Sequence, residues 1–348
     1  MTFDLQSVTH AAYYLAFHLT KAVTAFIQRD SFLFWPFLLS AILIAVIVAA
    51  LTKPVDASPN APSRWQALRE HFGRDRWWHR SARADYRLYF ANALLLPLLF
   101  GVVLFSDAHV VGFVDRLLGR APAAASAVQA ASLGSRIVFT LLFFVAYDFG
   151  RFVAHSLLHD LPLLWEFHKV HHSAETLNPM TTFRAHPLEL LVMAWVPAVM
   201  TGLATWTFNQ FVATPISFYS FLGLHILIFA FNLVGILRHT HVWLHYGPAW
   251  GKWLISPAHH QLHHSCEAKH IGSNRGFELA IWDRLYGTLY VPGRKEPFRM
   301  GLGDGTDEQW HTVRRMYWWP FVNAAKRLVG AGRPTLEPSG SGEDKAPL

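Results

Sequence analysis

From Leu190 to Leu237 the chain runs 48 residues without a single Asp, Glu, Lys or Arg. As one continuous helix this run would extend roughly 72 Å, far more than the ~30 Å of a bilayer's hydrocarbon core. The expected solution is a hairpin of two spans with its turn near Asn209 and Gln210. Three further apolar stretches precede it. Ser31 to Leu51 carries no charge and is long enough to cross a bilayer. A second span is expected at about Leu88 to Phe105. A third begins near Leu133 and is interrupted by Asp148 and Arg151, so its last turns leave the lipid.

The stretch at 31–51 reads as an uncleaved anchor rather than a signal peptide. Lys21 and Arg29 before it are balanced by Asp4 and Asp30, which leaves no basic leader, and the apolar run is too long. Residues 1–30 read as an interfacial or partly inserted helix. The fold class expected is an all-α integral membrane protein of about four to five transmembrane helices with a cytoplasmic helical cap. Composition agrees: 52% of residues are hydrophobic and 15% charged, against roughly 25% charged in a typical soluble domain. The 14 Trp and 27 Phe suit membrane–water interfaces.

Loop charge sets the orientation. Segment 52–87 holds eight Lys and Arg, segment 106–132 holds two, and the chain from Arg238 onward holds fourteen. Basic loops stay in the cytoplasm. Placing 52–87 there returns the chain to the cytoplasm at His155 and again at Arg238. The net charge of +7 suits anionic lipid better than nucleic acid, because the basic residues sit between apolar runs. The single cysteine, Cys266, excludes an internal disulfide and a self-held iron–sulfur cluster with four thiolates. It reads as a small inert residue.

Histidine is the anomaly. There are 21, and 15 lie between His155 and His270. Four clusters stand out: His155 and His159 in HSLLH; His168, His171 and His172 in HKVHH; His241 and His245 in HVWLH; His260, His263 and His264 in HQLHH. Spacings of three and four place rings on one face of a helix. Neutral imidazole binds iron, zinc, copper or nickel. Ten such residues exceed the needs of one ion and suit two. The loop count, made without reference to histidine, brings all four clusters to one side of the membrane.

The segments DFGRFVAHSLLH, WEFHKVHHS, FRAHPLE, SPAHHQLHHS and NRGFELAIWDRLYGT resemble the fatty acid hydroxylase / sterol desaturase superfamily over about residues 85–292. That resemblance implies a cytoplasmic di-iron centre and O2-dependent hydroxylation or desaturation of a lipid. The implied ligands are the ten histidines His155, His159, His168, His171, His172, His241, His245, His260, His263 and His264. His239 and His259 neighbour implied ligands and could exchange roles with them, and His186 in FRAHPLE is a candidate outside the ligand set. His270 reads as a surface or orienting residue. His225, within a span, is either functional or bonded to a neighbouring helix.

Ligating histidines need their second nitrogen held. Asp148, Glu166, Glu175, Glu189, Glu267 and Asp283 are the carboxylates placed to do so, with Asn178 and Arg184 beside the second cluster. The domain layout expected is an anchor and basic loop at 1–84, a catalytic membrane domain at 85–292, an amphipathic segment at 293–330 and a disordered tail at 331–348. The segment from Trp310 reads either as lying on the cytoplasmic leaflet or as a packing helix. No dinucleotide signature or haem-binding extension is visible, so a separate ferredoxin-like or cytochrome-like electron donor is expected. The competing readings are a zinc hydrolase, which explains three or four ligands rather than ten, and a non-enzymatic metal carrier.

Overall fold

The computed structural model describes residues 5–51, 73–100, 106–119, 132–212 and 216–330. The expected disordered tail and most of the basic loop 52–87 lie outside these residues. The described chain is mostly helical. Its main helices are α1 (Leu5–Val23), α2 (Trp35–Leu51), α3 (Arg80–Phe100), α4 (Asp107–Leu117), α5 (Leu133–Asp160), α6 (Pro162–His172), α7 (Pro187–Phe208), α8 (Ile226–Gly235), α9 (Pro257–His263), α10 (Ile281–Tyr286) and α11 (Val313–Leu328).

Two of these, α5 and α7, are long and apolar enough to cross a membrane. They pack along each other at the centre of the molecule. Gly150 makes the close approach possible: a Cβ there would lie 2.6 Å from Pro197 Cα. Small residues let apolar helices pack backbone to backbone in this way. Gly202 does the same for α4, where a Cβ would meet Val110 at 2.5 Å. Helices α2 and α8 are apolar but shorter, at 17 and 10 residues. Of the four to five spans expected, two are long and apolar enough on their own among the described residues. The 31–51 stretch starts its helix only at Trp35, because Ser31 caps a turn that takes the amides of Leu33 and Phe34.

The charge-free run folds as a hairpin, as its length required. Helix α7 ends at Phe208 and Asn209 caps it. The chain returns through a two-residue antiparallel ladder, Ser220 opposite His225 and Phe221 opposite Leu224. The turn between them has positive φ at Leu222 and Gly223 (50° and 82°), the pattern of a tight hairpin turn. His225 then caps α8: its Nδ1 accepts from Leu227 N at 3.3 Å and its Nε2 donates to Thr140 O at 2.9 Å. Of its two readings, the bonded one describes its contacts.

One end of the bundle gathers the ends of α5, α6, α8 and α9 and the start of α7. A buried ion pair ties α3 to this end. Arg184 Nη1 meets Asp85 Oδ1 at 2.7 Å, and both side chains are fully inaccessible. The same guanidinium donates to Val170 O, Ser173 Oγ and Trp310 O. Helix α11 packs against α6 with Met316 and Pro320 buried. Trp310 and Met316 share a core cluster with Ala84, Leu88 and Val170. Trp318 and Leu328 stay exposed on its outer side.

Candidate metal centre

Helix α5 brings His155 and His159 to its last turns, one turn apart. Leu161 and Pro162 then break the chain direction, and Pro162 starts α6 at a position where no amide is needed. Helix α6 carries His168, His171 and His172 back across the end of α5. Helix α9 starts at Pro257 behind a capping box of Ser256 and His259 and carries His260 and His263, with His264 at its C-cap. All of these rings are buried.

They sort into two groups. His155, His159, His168, His172 and His263 form one; His171, His239, His260 and His264 form the other. In each group the nitrogens available for a ligand lie within 4.8 Å of one another. Alternate members of the HxxHH repeats divide between the groups, so each helix feeds both. Ring centroids of His172 and His264, one from each group, stand 4.8 Å apart.

The hydrogen bonds decide whether a metal fits. Backbone carbonyls can only accept, so a ring bonded to one carries its proton on that nitrogen. His155 Nδ1 donates to Arg275 O at 2.7 Å, His263 Nδ1 to Ser273 O at 2.7 Å and His171 Nδ1 to Arg184 O at 3.1 Å. His168 Nδ1 is bonded to the Glu189 carboxylate at 2.9 Å. The Nε2 atoms of the three carbonyl-bonded rings, His155, His263 and His171, therefore present lone pairs. Yet His155 Nε2 lies 3.0 Å from His168 Nε2, and His159 Nε2 lies 3.3 and 3.2 Å from those of His155 and His263. In the second group His239 Nε2 faces the Nε2 atoms of His260 at 2.9 Å, His264 at 3.2 Å and His171 at 3.3 Å. Lone pairs facing one another repel unless a cation lies between them. Charging the rings is no remedy. Burial holds His168 and His263 down to about 3 and His171 down to about 4, and pushes His172, His260 and His264 well below the ordinary imidazole range. The buried Nε2 of His172 has no partner at all. Two metal ions fit this donor set.

Eight of the ten expected ligands are in these groups. His241 and His245 are not, and His239 takes the place expected of them. The HVWLH segment is not helical: a short 3-10 turn, Ile236–His239, ends in an extended Thr240, and no helix forms again until Gly247. The β-branched Thr240 and Val242 and the Gly247–Pro248 pair disfavour a helix here. Gln261 takes up the freed Val242 carbonyl at 2.9 Å. His241 instead bonds Thr176 Oγ1 at 3.0 Å, and His245 is exposed with its Nδ1 on Gly247 N. His239 sits on the 3-10 turn, with Nδ1 on Thr182 Oγ1 at 2.9 Å.

The other candidates hold structure together. His259 joins Ser256 Oγ to Gly251 O, and His186 caps α7 and donates to Tyr317 O. His270 joins Ser265 to Glu296. Asn178 donates to Asp85 and caps the Pro179–Phe183 turn. Glu166 pairs with Lys169 and Arg327, Glu175 with His311, and Glu267 with Arg299. Among these carboxylates Glu189 touches a cage ring directly. Two more act one step away. Asp283 accepts from Arg275 N and Gly276 N, both at 2.7 Å, fixing the carbonyl that orients His155. Asp148 accepts from the amides of Glu278 and Leu279 and from Trp282 Nε1, pinning the same segment to α5. The orienting carbonyls of Arg184, Ser273 and Arg275 are invisible in a sequence, since every residue has one.

A helical molecule with two buried histidine groups able to hold metal, set at one end of long apolar helices, defines a narrow class. Residues 140–288 match the fatty acid hydroxylase family model, and this region of the chain is similar to that family. Curated relatives agree. The chain is 30% identical over 161 residues to an ornithine lipid hydroxylase of Rhizobium tropici, covering 45% of this chain and 44% of the relative. It is 31% identical over 163 residues to an alkylglycerol monooxygenase of Xenopus tropicalis, covering 46% and 32%. The human alkylglycerol monooxygenase is 28% identical over 153 residues, covering 44% and 31%. The match thus spans 31% to 44% of the length of these relatives. No solved structure matches.

Proposed function

We propose that this chain is a multi-spanning membrane oxygenase that holds two iron ions in its histidine groups and inserts oxygen from O2 into a lipid. The observation that carries this reading is the convergence of nine buried imidazoles, in two groups whose ring nitrogens lie within 4.8 Å of one another, at the end of apolar helices. His155, His159, His168, His172 and His263 would hold one iron, and His171, His239, His260 and His264 the other. When bound, the irons supply the redox chemistry that an unactivated C–H bond requires and that side-chain acids and bases lack.

The chain's own contribution is preorganisation. The Arg184, Ser273 and Arg275 carbonyls and Glu189 hold the tautomer and direction of His171, His263, His155 and His168. Burial keeps the rings neutral and restricts water, which limits wasteful loss of oxidant. The reaction places one oxygen atom of O2 in the product and the other in water, consuming two electrons and two protons. A separate ferredoxin-like or cytochrome-like donor supplies the electrons. Hydroxylation is favoured over desaturation, in keeping with the names of the relatives. The excess of Lys and Arg in 52–87 and beyond Arg238 supports a cytoplasmic position for the cage.

A zinc hydrolase would need three or four of these rings and leaves the others facing one another. Lipid mass spectrometry of cells with and without the gene separates the two. A product heavier by one oxygen, dependent on O2 and lost on iron chelation, is the expected result. Accumulation of a cleaved lipid with no oxygen gain would overturn the proposal.

A further inference from the structure

A cavity of about 550 Å³ lies within the bundle, between α5, α7, α8 and the 29–32 connection. That volume falls within the ordinary range for ligand pockets. Its α5 wall runs from Phe143 through Tyr147 to Arg151, and its α7 wall from Thr201 through Pro197 to Met193. Each wall is about 12 Å long at the helical rise. Arg151 stands one turn, about 6 Å, before His155, and Met193 one turn after Glu189. The cavity therefore points along the bundle at the five-histidine group. Its interior is mainly apolar, while Arg29, Asp30 and Ser106 at its margin are polar and exposed.

Two side chains stand in series between this cavity and the cage. The Arg151 guanidinium lies over the Phe277 ring, 3.7 Å from its centroid. The Phe277 ring also meets the His155 ring, at 5.3 Å between centroids. The backbone at Phe277 is pinned: Arg238 donates to its carbonyl, and the next two amides bond Asp148. The side chains are held by stacking and by one long ion pair. Glu278 bonds Arg238 at 2.6 Å but Arg151 at 3.4 Å. Neither Arg151 nor Phe277 is fully buried.

Resting on the lipid-oxygenase reading, we infer that this cavity takes one acyl or alkyl chain of a lipid and that Arg151 and Phe277 form the partition at its metal end. The pair determines how far the lipid advances toward His155, and with it which carbon is presented. The partition opens by rotation of two side chains while the pinned backbone keeps the Arg275 carbonyl on His155.

The test is photolabelling of the purified full chain with a long-chain fatty acid carrying a terminal diazirine, mapped by peptide mass spectrometry. In the wild type the label is expected in peptides covering 143–151 and 193–201. Ala198→Trp, which fills the cavity, should lose it. Phe277→Ala and Arg151→Met should extend labelling to 155–172. Iron content and gel-filtration behaviour establish that each variant is folded. If one of the two does not fold, the other carries the test. Wild-type labelling absent from both walls, or labelling unmoved in a folded partition variant, would overturn the inference. Intact labelling in a wild type that oxidises no lipid would instead defeat the oxygenase reading and leave the partition standing.

Discussion

Backbone carbonyls orient three of the cage histidines and the Glu189 side chain a fourth, and of these partners the sequence displays only the last. The HxxHH repeats announce metal, because imidazoles at helical spacing share a face. The ligand set itself depends on whether each segment is helical, and HVWLH is not. His239→Ala is therefore expected to lose iron and to cut lipid oxidation by more than the ~10–100-fold typical of partners outside the ligand set. His245→Ala, at an exposed ring, should leave both unchanged. Metal analysis beside product quantification checks the contrast, and the reverse pattern would restore HVWLH to the cage. Glu189 is the carboxylate whose role can be tested alone. Glu189→Leu frees His168 Nδ1 and should weaken iron binding by about 10–100-fold, read by chelator competition, while the protein still inserts in the membrane.

At the scale of elements, the charge-free run showed its hairpin and the place of its turn, because length and charge alone forbid one straight helix. The C-terminal segment was less legible: basic and aromatic residues mix in the same way on a membrane surface and on a packing helix. Here Met316 and Trp310 bury against α3 and α6. The Asp85–Arg184 pair was not visible as a pair, since the partners lie 99 residues apart. Arg184→Met leaves the Asp85 carboxylate buried without its cation. Breaking such a pair costs about 3–5 kcal/mol, so a marked fall in thermal midpoint in detergent is expected. The α5–α7 contact gives a sharper control. Gly150→Ala should destabilise by about 1–3 kcal/mol through overpacking against Pro197. Gly134→Ala, where a Cβ would meet nothing within 4 Å, should not destabilise. Equal midpoints for the two would remove the close approach from the account.

Across the whole molecule, alternating spans were expected to bring the histidine clusters to one side, and the structure gathers them at one end of the bundle. In a Cys266→Ser background, cysteines placed in 52–72 and after Gly330 should react only from the cytoplasmic side, and one in 120–131 only from outside. Labelling of the C-terminal site from outside would break the span count. The central claim is that two groups of histidines, five and four, each hold an iron. Metal content of purified protein from iron-replete cells tests it most directly, measured for the wild type, His168→Ala and His239→Ala. Close to two irons per chain in the wild type, with loss in each variant, is the predicted result. One tightly held zinc per chain, unchanged in His239→Ala and with activity indifferent to iron chelation, would contradict it.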